Sequence, residues 1–168
     1  MVQTRRGPPE DGWSGVVRDA HTADAVPHAN VILEVPAVSA ADSTLDQVAT
    51  DAGGAFRLAH RSLPAGARLR ITASGYAPLS GALPPPGSFV VTLVTHRRAA
   101  LMRLVQWARR TGAPWTWRTE PTPAQIVELA QSRHQEDIAT WAEGVQRSAY
   151  APDDQGGGAP VSDPPTTP

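Results

Sequence analysis

The chain contains no cysteine. Disulfides, thiolate metal sites and a cysteine nucleophile are therefore excluded. Lysine is absent as well, so every basic side chain is arginine, a bias that reads as codon composition, not chemistry. Aromatic residues make up only 5% of the chain, and five of them are tryptophans. No apolar run approaches the length of a membrane span. No apolar stretch follows Arg5 and Arg6, so the opening residues do not read as a secretory signal. The chain is expected to be soluble and cytoplasmic as written, or extracellular if the true start lies upstream or it leaves the cell with an assembly. Net charge is −1, which gives no bulk attraction to nucleic acid or membrane.

Proline and glycine, by contrast, are abundant, at seventeen and fourteen. They predict short elements with frequent turns. Four zones follow. Residues 1–12 read as a flexible, polar lead-in. Residues 13–95 read as short strands, residues 96–150 as a helical appendage. Residues 151–168 are Gly, Pro, Asp, Ser and Thr with almost no bulky apolar group. Such a tail buries too little to offset chain entropy and is expected to be disordered.

Strands are predicted at 15–18, 29–35, 45–50, 55–58, 67–74 and 88–94. The clearest alternation sets Leu69, Ile71 and Ala73 against Arg68, Arg70 and Thr72, as for a strand with one face buried and one wet. Phe89, Val91 and Val94 offer apolar faces in the last strand. Asp51-Ala52-Gly53-Gly54 reads as a turn joining two strands of a hairpin, and Pro84-Pro85-Pro86-Gly87 as a stiff spacer. Seven or so short strands with turn signals every ten residues predict a mainly β, antiparallel sandwich.

The period then changes. Leu101, Leu104, Val105 and Ala108 recur at helical spacing, with arginines opposite, and Gly112 and Pro114 end that helix. Thr122-Pro123-Ala124-Gln125 opens another with a capping box and a proline in the first turn. Ile126, Leu129 and Ala130 form one apolar stripe; Ile138, Trp141, Ala142 and Val145 form a second. Two short helices, or one bent helix, are expected to end near Tyr150.

Four blocks in the strand zone resemble the carboxypeptidase regulatory-like domain, a small transthyretin-like β-sandwich. They are Gly15-Val16-Val17-Arg18-Asp19, Val26-Pro27-His28-Ala29-Asn30-Val31, Thr50-Asp51-Ala52-Gly53-Gly54-Ala55-Phe56-Arg57-Leu58, and Leu69-Arg70-Ile71-Thr72-Ala73-Ser74-Gly75-Tyr76. The resemblance implies a seven-stranded antiparallel sandwich over residues 13–95. The span 107–150, with Thr122-Pro123 opening a helix pair and Tyr150 closing it, is similar to the cytosolic C-terminal segment of bacterial transglutaminase-associated membrane proteins. The membrane spans of those proteins have no counterpart here.

Related folds include enzymes. Intradiol ring-cleaving dioxygenases hold iron with two tyrosines and two histidines. Here Tyr76 falls where the resemblance implies a structural aromatic, and Tyr150 falls outside the sandwich. Transthyretin-related hydrolases need a histidine–arginine cluster and a C-terminal Tyr-Arg-Gly-Ser motif, which the chain lacks. His21, His28, His60 and His96 show no metal-ligand spacing. Asp19, Asp42 and Asp51 fit calcium-binding loops, but Asp19 and Asp51 fit better as turn residues bonding their own backbone. No catalytic residue, cofactor or metal is therefore expected.

Trp115, Trp117 and Arg118 are the candidate binding residues, since Trp and Arg are common interface anchors. The bland alternative is that the tryptophans pack the appendage onto the sandwich with Trp107 and Trp141. The arginine-rich helix, with Arg97, Arg98, Arg103, Arg109 and Arg110, reads as a solvated face and not as a nucleic-acid site. The function expected is a non-catalytic protein-interaction or scaffolding module, an accessory subunit of a larger bacterial or phage-tail-like assembly. The alternatives are a carbohydrate-binding module using Trp115 and Trp117, and a metal-dependent enzyme on a transthyretin-like frame.

Overall fold

The computed structural model describes residues 3–5, 12–35, 43–58, 63–116, 120–152 and 158–166. It divides into two compact units, Met1–Val94 and Thr95–Pro168.

The first unit holds eight strands among the described residues: β1 (Gln3–Arg5), β2 (Trp13–Asp19), β3 (Asn30–Val35), β4 (Ser43–Ala49), β5 (Ala55–Leu58), β6 (Arg68–Thr72), β7 (Leu79–Ala82) and β8 (Gly87–Leu93). They form two four-stranded sheets, ordered β1-β8-β2-β5 and β4-β3-β6-β7. The β-rich sandwich expected from the sequence is present, with three differences. Residues 3–5 were expected to be a flexible lead-in but pair with β8. Strand β7 was not anticipated: its Leu-Ser-Gly-Ala sequence carries no alternation, and it exists because β6 pairs with it.

The third difference is that the sandwich is not wholly antiparallel. Strands β2 and β8 run parallel, from Trp13 opposite Gly87 to Asp19 opposite Leu93. Parallel neighbours need a long crossover, and here the chain supplies one by building the whole second sheet between them. For the same reason the turn at residues 51–54 is not a hairpin. Strand β4 belongs to one sheet and β5 to the other, where β5 pairs with β2.

Alternation sets the core. Trp13, Val17, Val31, Leu33, Phe56, Leu58, Leu69, Ile71, Phe89, Val91 and Leu93 are buried together. In β8 the inward set is 89, 91 and 93, so Leu93 takes the place expected of Val94. Gly15 sits among them for a steric reason. A Cβ there would lie 2.7 Å from Phe56 Cζ and 2.8 Å from the Phe89 carbonyl. Its absence lets the Phe56 ring lie over β2 and meet Phe89 edge-on, centroids 5.6 Å apart. The Trp13 indole N–H donates to the Pro84 carbonyl at 2.8 Å, so the proline run also serves as an acceptor.

The second unit holds α1 (His96–Thr111), α2 (Pro123–Ser132) and α3 (Glu136–Tyr150). Thr95 caps α1, and Gly112 ends it at φ +78°. The Thr122/Gln125 capping box forms as the sequence predicts, in both directions. The second stripe is a separate helix, because a turn at residues 133–135 interrupts the chain. Glu136 and Asp137 lie in the first turn of α3, where carboxylates favour the helix dipole. Leu104, Trp107, Ala108, Trp115, Ile126, Ala130, Ile138, Trp141, Ala142 and Val145 form this unit's own core.

Candidate functional site

The four sequence blocks meet at one end of the sandwich, and the bonds there are structural. Asp19 Oδ1 accepts from the backbone N–H groups of His21 at 2.6 Å and Thr22 at 2.9 Å. Those amides, of Thr22 and then His21, together with the Tyr76 hydroxyl, hold the Asp19 carboxyl below the ordinary carboxylate range. Burial, and then the hydrogen bond to Asp19, pushes the Tyr76 phenol up. Asp51 Oδ1 accepts from Gly53 N at 2.9 Å and Ala55 N at 2.8 Å. The buried Thr50 hydroxyl donates to the Val26 carbonyl and accepts from Ala29 N, both at 2.8 Å. Gly54 lets the backbones close: its carbonyl accepts from Val17 N at 2.8 Å, and the Val17 carbonyl accepts from Val26 N at 3.0 Å.

Asp19 and Asp51 thus act as turn residues, and Tyr76 as a buttress on Asp19. Asp42 and His60 lie outside the described residues. Among the described residues, no three His, Asp or Glu side chains gather as a metal-binding group.

Of the candidate binding residues, Trp115 is only 2% exposed. Its ring lies 5.2 Å, centroid to centroid, from Trp107, which lies the same distance from Trp141 on its other side. Sugar stacking needs an exposed ring face, and Trp115 presents none; it packs with Trp107 and Trp141 in the helical unit's own core, not in that of the sandwich. Trp117 and Arg118 lie outside the described residues.

The sequence missed a different feature. Residues 158–166, expected to be disordered, lie against α1 and α3. At one end Gly158 N donates to the Ser148 carbonyl, and Ser148 Oγ donates to the Ala159 carbonyl, each at 2.7 Å. Arg103 Nη1 donates to the carbonyls of Val161 at 2.7 Å and Ser162 at 3.3 Å. Arg103 also faces the Asp163 carboxylate at 3.8 Å. The indole N–H of Trp141 donates to the Ser162 carbonyl at 3.2 Å, and that of Trp107 to the Pro165 carbonyl at 3.4 Å. Val161 packs over Gly144, where an added Cβ would lie 3.9 Å from Val161 Cγ1.

The contact is therefore made mainly to main-chain carbonyls. The residues of the segment are half-buried or exposed, none buried, whereas the helical core beneath them is closed. A cleft of about 450 Å³ remains between α3 and the segment, with Asp137, Thr140, Gly144 and Arg147 on its helical wall. The signals for this groove were two tryptophans, Trp107 and Trp141, whose indole N–H groups need acceptors, and the prolines Pro160, Pro164 and Pro165 that stiffen the segment.

No family model and no curated protein matches the chain. Among solved structures it is similar to a protein of unknown function from Bacteroides fragilis, described as membrane-associated, with 16% identity and a TM-score of 0.31 over 81% of this chain. It is also similar to a 9R-lipoxygenase from Cyanothece, with 12% identity and a TM-score of 0.32 over 88% of this chain. The chain spans 51% and 26% of those two proteins. No helix of the described residues is long and apolar enough to cross a membrane.

Proposed function

We propose that this chain is a non-catalytic protein-interaction module, an accessory subunit in a larger assembly, with a transthyretin-like sandwich as its rigid frame. The observation that carries the reading is the hold of α1 and α3 on residues 158–166. Two indole N–H groups and a guanidinium grip a proline-bearing segment by its carbonyls. Aromatic-lined grooves recognise stiff proline-rich segments in this way, because little chain entropy is lost on docking. The frame is supported by the interlocked blocks: Gly15 makes room for Phe56, Thr50 ties Val26 to Ala29, and Asp19 holds Tyr76. Polar groups at that end are used up in turns, which suits a scaffold better than a catalyst.

The test is affinity purification of the intact chain from its source organism under mild conditions, with quantitative mass spectrometry. A protein partner at near-equal molar amount is expected. A monomeric chain that recovers no protein, but turns over a small molecule or retains a transition metal, would overturn the reading.

A further inference from the structure

We infer that the α1/α3 groove is the docking site for an extended proline-containing segment of a partner polypeptide, and that residues 158–166 occupy it as a built-in competitor. This rests on the interaction-module reading and names the partner's chemistry.

Three observations carry it. The segment is held as a ligand is held. Carbonyls of Ala159, Val161, Ser162 and Pro165 accept from side chains on α1 and α3, while none of its residues is buried. Val161 is half-buried against the helical core, and the rest of the hold is on the main chain. The groove also exceeds its occupant, leaving the open cleft walled by Asp137, Thr140 and Arg147. Beside Pro165 and Thr166, Gln135 Oε1 is buried and has no hydrogen-bond partner among the described residues.

The recognised chemistry can be read from the present occupant. A small β-branched residue sits at the Val161 place, over Gly144. An acidic residue two positions on meets Arg103. Prolines follow, fixing φ and pushing the residue before them toward extended backbone. The partner segment is thus of the type Val-x-Asp-Pro-Pro, with larger side chains flanking it to fill the cleft. A tethered competitor acts at an effective concentration on the order of millimolar, so a partner binds measurably only if it is tighter, locally concentrated, or able to add contacts in the cleft.

The test uses the full-length chain and a fluorescent synthetic peptide of residues 158–166. One protein has the native tail; the other has residues 159–166 replaced by a Gly/Ser repeat of equal length. Circular dichroism at 222 nm reports the helices. The replaced-tail chain should keep its helicity and bind the peptide about ten-fold or more tightly than the native chain. Adding Arg103→Gln to it, or Asp163→Asn to the peptide, should weaken binding several-fold. Three results would overturn the inference. The replaced-tail chain loses its helical signal, which makes the segment part of the fold. The folded replaced-tail chain binds no peptide. Or the native chain forms concentration-dependent dimers that the tail replacement abolishes, which makes the occupant a second copy's tail. Recovery of a partner by affinity purification alongside any of these would leave the interaction-module reading standing on another surface.

Discussion

The two units solve the problem of buried polar groups in opposite ways. In the sandwich, local polar side chains satisfy the backbone where strands turn: Asp19, Thr50 and Asp51 each bond amides or carbonyls close to their own turns or to the adjoining loop. In the helical unit Thr95 and the Thr122/Gln125 box cap two helix starts, the helices satisfy most of the remaining backbone themselves, and surplus donors lie in side chains. The indoles of Trp107 and Trp141 carry donors that the helices cannot accept, and these turn outward to a separate stretch of chain. The first arrangement closes a surface. The second leaves a row of donors facing whatever lies in the groove, and that is where recognition can reside.

The strongest way to break this comparison is at Gly54. It adopts φ +75°, and a Cβ would fall 2.5 Å from the Val17 carbonyl oxygen and 3.2 Å from Val26 N. Both neighbours are backbone and cannot swing away. Gly54→Ala should cost the sandwich about 3 kcal/mol or more, combining left-handed strain with displaced β2. Because each unit has its own core, chemical denaturation should show the β signal lost early, with the 222 nm helical signal surviving to higher denaturant. Simultaneous loss of both would show that the two cores are not energetically separate.

Next in size is Thr50→Val. The shape is kept but the hydroxyl goes, leaving the Val26 carbonyl and the Ala29 N–H without their 2.8 Å partner. Orphaned buried groups cost about 1–3 kcal/mol each, so a loss of about 2–3 kcal/mol in the sandwich transition is expected from urea denaturation. Trp141→Phe is the counterpart in the helical unit. It removes one donor to the segment and part of a packed ring, for about 1–2 kcal/mol. Limited proteolysis should then cut residues 158–166 faster than in the native chain. An unchanged cleavage rate would mean that the indole bond does not hold the segment.

Legibility followed the same division. Alternation at Leu69 and Ile71, the Thr122/Gln125 capping box and the turn aspartates could be read because each signal is local in sequence. The parallel pairing of β2 with β8 could not, because strand direction is set by topology and not by residue pattern. Strand β7 was hidden because its four residues are half-buried or exposed and carry no period. The groove was hidden for another reason. Composition says that residues 151–168 bury little, but it does not say that Arg103 and two indoles lie ready to hold carbonyls of residues 161–165. Trp115-Thr116-Trp117 drew attention as a cluster, yet the donors that reach the segment are Trp107 and Trp141, separated by more than thirty residues.

The pH response should separate the units as well. The folded-state value of Asp19 is lowered by the Thr22 and His21 amides. Its contribution is therefore complete above the unfolded carboxylate value, about 4, and disappears as pH falls through the lower folded value. Tyr76 is raised, so its contribution is complete below the unfolded phenol value, about 10, and disappears as pH rises beyond it. The sandwich transition should weaken at both extremes. Asp19→Asn should flatten the acid side and, by removing the charge beside the phenol, shrink the alkaline loss, because the folded phenol value then lies closer to the unfolded one. A denaturation midpoint for the sandwich that follows the same acid limb with and without the Asp19 carboxylate would assign that limb to other groups.

The smallest expected effect has the opposite sign. Gly144 lies inside α3, where glycine costs about 1 kcal/mol relative to alanine. An added methyl would meet Val161 Cγ1 at 3.9 Å, an ordinary contact. Gly144→Ala should therefore stabilise the helical unit by about 0.5–1 kcal/mol, read as a raised thermal midpoint at 222 nm, without expelling the segment. Gly144→Leu, in contrast, should keep the helical gain but collide with the Val161 side chain, so that residues 158–166 become protease-sensitive while the helices stay folded. If the leucine variant melts the helices instead, the segment and the core beneath it are one cooperative structure, and the contrast between a closed sandwich and an open groove disappears.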